Sequence, residues 1–292
     1  HLTNIYKVTI NSSHFISNKV LDTLIYDVQK CSGGALFVEN IVKITILFSE
    51  FISNVVRHAA HDYSEGMVTE GAALHISYVK DIVIFYSHFH GNIADKMGYG
   101  GSLYINLANR FLIANSSIFY SVSQDYGGAC YLYHVKNFTN IKSKYLYNCA
   151  TKSGGVLFFN RGCDYLTNEN VVFAHNYAQY SGVIDVSYSK TITNSYCNFV
   201  NNSASTSISS LSSGAINVHM AINFTNCYCN FVGNIGYSSG ALKLIANRLL
   251  NLKCNFSKNY GSSWASAIHL QINDGKNNNA KNIGCRFELN EH

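Results

Sequence analysis

Residues Ser212–Asn234 read SSGAINVHMAINFTNCYCNFVGN, and this stretch decides the fold because a relative of it recurs from Phe15 to Asn290. It opens on a turn of small residues (Ser213, Gly214, Ala215), sets apolar Ile216 and Val218 around polar Asn217, and continues through Phe224, Asn226, Cys229, Phe231 and Asn234. The Gly214 position is filled elsewhere by Gly34, Ala72, Gly101, Gly128, Gly155, Gly182, Gly240 and Ser266, a period of 26 to 38 residues. Periods of this length mark solenoids, in which each unit buries its apolar face by stacking on its neighbours.

The positions two and four after that small residue are apolar in every unit, from Leu36 and Val38 to Ile268 and Leu270, while the residue between them varies from Phe37 to Asp185 to Lys243. Alternation with a period of two is the signature of a half-buried strand and excludes helical repeats. The second half of each unit holds an aromatic column: Phe15, Phe51, Phe89, Phe119, Tyr145, Phe173, Phe199, Phe231, Phe256 and Phe287. Two residues before it stands a small column, Ser13, Ser49, Ser87, Ser117, Ser143, Val171, Cys197, Cys229, Cys254 and Cys285. Three residues after it stand Asn18, Asn54, Asn92, Val122, Asn148, Asn176, Asn202, Asn234, Asn259 and Asn290. A second Asn column, Asn140, Asn168, Asn194, Asn226, Asn251 and Asn282, begins midway, where the earlier units have Ile10, Ile46, Ile84 and Ala114. Like residues recurring in register are what a parallel β-helix demands, because its coils stack at strand spacing and equivalent side chains touch. The expectation is an all-β parallel β-helix of about nine to ten coils, one domain over residues 1–292. A leucine-rich repeat would need a Leu consensus that is absent.

Composition agrees. Hydrophobic residues make up 47% of the chain and charged residues 13%, and there is no Pro, which suits strands that are nearly all central in a sheet. The net charge of +5 is spread without a basic stripe, so nucleic acid is not an expected partner. The most apolar segment, Ile41 to Phe48, is short and holds Lys43, so no membrane span is expected. The chain starts at His1 without a leader and stops soon after Asn290, which reads as a mature piece of a longer repeat protein. Asn-x-Ser/Thr occurs at Asn11, Asn115, Asn137, Asn201, Asn223 and Asn255. These are either glycosylation sites of a secreted glycoprotein or accidents of an Asn- and Ser-rich composition.

The pairing of Gly33, Gly34, Ala35 and Leu36 with Phe51 and Asn54, and of Gly240, Ala241 and Leu242 with Phe256 and Asn259, resembles the repeats of chlamydial polymorphic outer membrane proteins and similar protist surface proteins. Gly127, Gly128 and Ala129 with Asn148 add a third copy, and the resemblance covers Phe15 to Asn290. It implies a right-handed β-helix at a cell surface or outside the cell, usually an adhesin passenger. Here no Pro is present and no membrane barrel follows.

Parallel β-helices also serve polysaccharide-cleaving enzymes, which gather carboxylates on adjacent coils for calcium or acid–base work. Asp81, Asp95, Asp125, Asp164 and Asp185 form no such cluster in the sequence columns. Glu50 and His88 share a column on adjacent units, and His58, His61 and Asp62, with His88 and His90, have spacing compatible with zinc; solvated surface groups are the plainer reading of both. Cys227 and Cys229 look like half a metal site, but Cys229 belongs to the small column, and Cys197, Cys229, Cys254 and Cys285 are expected as buried thiols. No catalytic residue, cofactor or metal is expected.

The column three past the small position carries Phe37, His75, Tyr104, Tyr131 and Phe158, with Tyr133 alongside, before turning to Asp185, Asn217 and Lys243. It faces outward by parity and is expected as an exposed aromatic stripe, either a contact face for a protein or glycan or a self-stacking brace. The expected function is non-enzymatic adhesion or recognition. The alternatives are a filament subunit stacking head to tail through its open strand edges and a polysaccharide-active enzyme.

Overall fold

The computed structural model describes residues 1–22, 30–58, 68–206, 212–272 and 279–291, and all regular structure among them is β-strand. Every strand pairing is parallel, so the chain is a β-solenoid whose coils stack in register. The main sheet has 14 strands, the longest being 12-residue strands such as Leu74–Phe85 and Leu103–Ala114. A narrow sheet has ten strands of three residues each, such as Glu50–Ile52 and Ser117–Phe119, and a third sheet has nine short strands. Lys30–Ser32, Val68–Glu70 and Gly98–Tyr99 form a small fourth sheet just before the Gly turn. One apolar core runs the length of the solenoid from Val8 to Ala267.

The aromatic column is the core of the narrow sheet. Phe51 and Phe89 stack at 4.8 Å and Phe199 and Phe231 at 4.7 Å, with planes within 4°. In-register stacking places each ring one strand spacing above the last, within the range where rings attract. One coil departs from the expected column. Phe89 pairs with Ile118, and Ile118 with Tyr145, so Phe119 points outward. The small column at that coil is Ser116, and the ladder position is Ser121 rather than Val122. Phe111 replaces Leu112 inside, and Ile113 rather than Ala114 precedes the second Asn column.

Corners explain the Asn column. Asn54 Nδ2 donates to Asn92 Oδ1 at 2.9 Å and to the Phe15 carbonyl at 3.0 Å, while its own Oδ1 receives the Asn18 backbone N–H at 3.1 Å. Each buried amide thus satisfies backbone groups of the coils on either side, groups a corner would otherwise leave unpaired. The pattern repeats from Asn148 through Asn176, Asn202, Asn234 and Asn259 to Asn290. At Ser121 the shorter side chain is compensated. Its Oγ lies 2.6 Å from Ser102 Oγ, which in turn receives Asn92 Nδ2 at 3.1 Å, and Ser102 stands where neighbouring units have Ala73 and Ala129. The second Asn column is also continuous, with amide-to-amide bonds of 2.7 to 3.1 Å from Asn140 to Asn282.

Candidate functional site

The column expected as an exposed stripe is buried. Tyr104 and Tyr131 are 6% and 5% exposed, His75 is buried, and Phe37, Tyr133 and Phe158 are half-buried. A wall covers them. The residues just before each Gly turn fold back over the outer face of the long strands, so Tyr99 stacks on Tyr131 at 4.8 Å and Tyr126 meets Phe158 at 4.5 Å. The turn itself needs glycine: Gly127 has φ +68°, and a Cβ on Gly128 would lie 2.2 Å from the Gly155 carbonyl oxygen.

Inside this groove the rings spend their faces on one another. Phe37–His75, His75–Tyr104, Tyr104–Tyr131 and Tyr131–Phe158 stack at 4.4, 4.8, 5.3 and 5.5 Å. Burial pushes the Tyr131 phenol up to about 12, and burial together with the charge of Glu70 pushes Tyr104 upward as well. The stack is therefore a brace, with no face left for a sugar ring. Tyr133 is held apart, with the Arg161 guanidinium over its ring at 5.2 Å.

Toward the C-terminal coils the same column becomes polar. Asp185, Asn217 and Lys243 are buried there; His219 Nε2 lies 3.1 Å from Asp185 Oδ1, and Ser153 Oγ donates to Asp185 Oδ2. Hydrogen bonding to Asp185 raises the His219 pKa, whereas burial lowers that of Lys243.

Exposed aromatic side chains also line the corners of the narrow sheet, a feature the sequence columns missed. Tyr120 and Tyr147 are 50% and 45% exposed and stack at 5.1 Å, and Tyr147 stacks on His175 at 4.9 Å. Each occupies a left-handed corner, with φ of 54°, 57° and 56°. Phe119, Leu146, Ala174, Val200 and Val232 form the adjoining outward column, in which Ala174 is buried and the others are half-buried. The other corner exposes the pairs Phe48–Tyr86 and Tyr196–Tyr228, with Lys253 over the Tyr228 ring. The signal was present in the pairs Phe119-Tyr120 and Leu146-Tyr147, but placing Phe119 in the core hid it.

The remaining candidates separate. Glu50 bonds His14 at 2.9 Å and His88 bonds Ser117 at 2.6 Å, so Glu50 and His88 are neighbours in register that turn to other partners. The His58 side chain, His61 and Asp62 lie outside the described residues; among the described residues no three His, Cys, Asp or Glu are placed to hold a metal. All nine cysteines are free thiols, and Cys229 Sγ and Cys254 Sγ each donate to a carbonyl of the preceding coil, those of Asn194 and Asn226, at 3.4 Å. Of the sequon residues, Asn11 and Asn201 are exposed, while Asn115, Asn137, Asn223 and Asn255 are half-buried. Among the described residues no helix is long and apolar enough to cross a membrane.

The fold defines a parallel β-solenoid with a braced groove on its main sheet and an aromatic outer face on its narrow one. No protein-family model, curated protein or solved structure matches the chain.

Proposed function

We propose that the chain is a recognition solenoid at a cell surface or outside the cell, and that it binds a protein partner through the outer face of the narrow sheet. The supporting observation is the exposed row of Tyr120, Tyr147 and His175 beside half-buried Phe119 and Leu146, with exposed Tyr86, Tyr196 and Tyr228 at the opposite corner. Contiguous apolar surface of this kind marks contact sites, and Tyr is favoured at their energetic centres. The stacked rings of Tyr120, Tyr147 and His175 turn edges and polar groups outward, which suits a protein surface better than a sugar ring seeking a free face. The resemblance to polymorphic outer membrane protein repeats supports the same adhesive reading. The filament alternative has no separate observation behind it, because the open end coils would equally accept further coils of the same polypeptide.

The test is adhesion of the purified chain to cells and to a glycan array, with Tyr120→Ser and Tyr147→Ser combined. Binding to cells should fall roughly tenfold, about 1.4 kcal/mol, and should be abolished by protease treatment of the cells. Binding that survives the double change, or that is reproduced on glycans alone, would refute the proposed face.

A further inference from the structure

In the braced stack one ring differs from the rest. His75 is clamped between Phe37 at 4.4 Å and Tyr104 at 4.8 Å, which fixes the plane of its imidazole. Its Nε2 lies 2.6 Å from Ser77 Oγ, two residues along the same strand face, and its buried Nδ1, which makes no hydrogen bond, lies 3.3 Å from Glu70 Oε2. Glu70 is buried; its Oε2 accepts the Ser32 hydroxyl at 3.2 Å, and its carboxylate also hydrogen-bonds Tyr104. His75 and Ser77 line a cavity of about 740 Å³ with Phe37, Glu39 and Asn106. An acid, an imidazole and a hydroxyl in line beside a cavity is the geometry that activates a serine, and the contacts of such a site commonly tighten only when substrate binds.

We propose that Ser77 is the nucleophile of an acyl-transfer centre, with His75 as its base and Glu70 as the positioning residue, acting on carboxylic esters that fit this cavity. The proposal goes beyond the recognition role and departs from the expectation that the chain performs no catalysis. With the His75 proton on Nδ1 toward Glu70, Nε2 accepts the Ser77 hydroxyl proton as Oγ bonds to the ester carbonyl carbon. The ester C–O bond then breaks, the alkoxide leaves with the proton from Nε2, and a water molecule, deprotonated by the same nitrogen, releases the acid and restores Ser77. The carbonyl oxygen needs a donor. Asn106 pairs with Ser77 in the sheet and its Oδ1 is buried without a hydrogen-bond partner, so half a turn of that amide presents Nδ2 instead.

The experiment exposes the whole chain to diisopropyl fluorophosphate and follows intact mass, with p-nitrophenyl acetate turnover measured in parallel. The wild type should gain one adduct, mapped to Ser77, and Ser77→Ala should gain none. His75→Phe keeps a ring in the stack, so its circular dichroism should be unchanged while labelling slows by about 100-fold or more. Glu70→Gln should lower kcat for p-nitrophenyl acetate with KM and circular dichroism unchanged, and Glu70→Asp should restore part of it; a purely structural role would give no rescue by Asp. A folded wild type that gains no adduct, equal labelling of Ser77 in His75→Phe, or acetate turnover that survives Ser77→Ala would overturn the assignment.

Discussion

The units that turn at Gly33, Gly71, Gly100, Gly127 and Gly154 and those that turn at Ser181, Ser213, Ser239 and Ala265 share one core but build their outer faces differently. In the first set the turn glycine has positive φ, and the long strand is bent by a left-handed residue at Asn40, Tyr78, Leu107, His134 or Arg161. In the second set neither position is left-handed: Ser181 Oγ instead bonds the Ile184 carbonyl at 2.7 Å, and the pairing of the long strands shifts between Val218 and Ala221. The groove changes with the turn, from the ring stack ending at Phe158 to the polar group of Asp185, Asn217 and Lys243. Inner columns continue across the junction, with Phe173 stacked on Phe199 at 4.9 Å. Coil stacking is thus set from inside, and the outer face varies as long as each turn has its own means of satisfying its backbone.

The largest effect should come from the ring stack. Tyr104→Ser combined with Tyr131→Ser should lower stability by about 6 kcal/mol, since each removes a buried ring and leaves a cavity, whereas the exposed pair Tyr120 and Tyr147 should tolerate the same change with little loss. Chemical denaturation of both double variants decides this, and equal midpoints would show that the groove is no brace.

Next comes the ladder common to both regions. Asn202→Ala removes the acceptor for the Asn176 backbone N–H and side chain and the donor to the Phe173 carbonyl. About 3 kcal/mol should be lost. At the natural break, Ser121→Asn alone should crowd Ser102, while the pair with Ser102→Ala should be tolerated. A double-mutant cycle should give a coupling of about 1 kcal/mol or more.

A smaller contrast separates the two turns directly. Gly127→Ala forces a Cβ to 2.3 Å from the Cys130 carbonyl oxygen at a left-handed φ and should cost more than about 2 kcal/mol. Ser181→Ala loses one hydrogen bond and should cost about 1 kcal/mol. Comparable losses in thermal melts would erase the distinction between the halves.

The smallest effect is in pH. The folded pKa of His219 is raised by its bond to Asp185, so its contribution is complete below the unfolded value near 6.5 and is lost as pH rises through the folded value. The side chain is partly exposed and screened, so the melting temperature should drift down only slightly above neutral pH. Asp185→Asn should flatten that drift. A drift that persists in Asp185→Asn would assign it elsewhere.

Much of the core was legible because its columns are long and redundant. One misplaced unit, with Phe119 preferred to Ile118, shifted a single coil by one residue, and in a strand that slip exchanges inside for outside. The candidate sites were less legible. Parity identified Tyr104 and Tyr131 as outward, and they do face away from the core, yet outward did not mean exposed, because Tyr99 and Tyr126 fold back over that face. No period in the sequence reports that fold-back.

The sequence by itself determined the parallel stack, the inner columns and the Asn corners, since like side chains in register meet their own kind one strand spacing away. Tertiary structure alone decided which outward residues meet water, which ring faces are free, and that Glu70 returns over His75 beside Ser77. Glu70 and His75 are separated by the left-handed turn at Gly71, with φ +58°, so their approach depends on a backbone reversal and on the neighbouring coils that hold it. Alternation along a strand specifies which way a side chain points, and only the packed coils specify what it meets there.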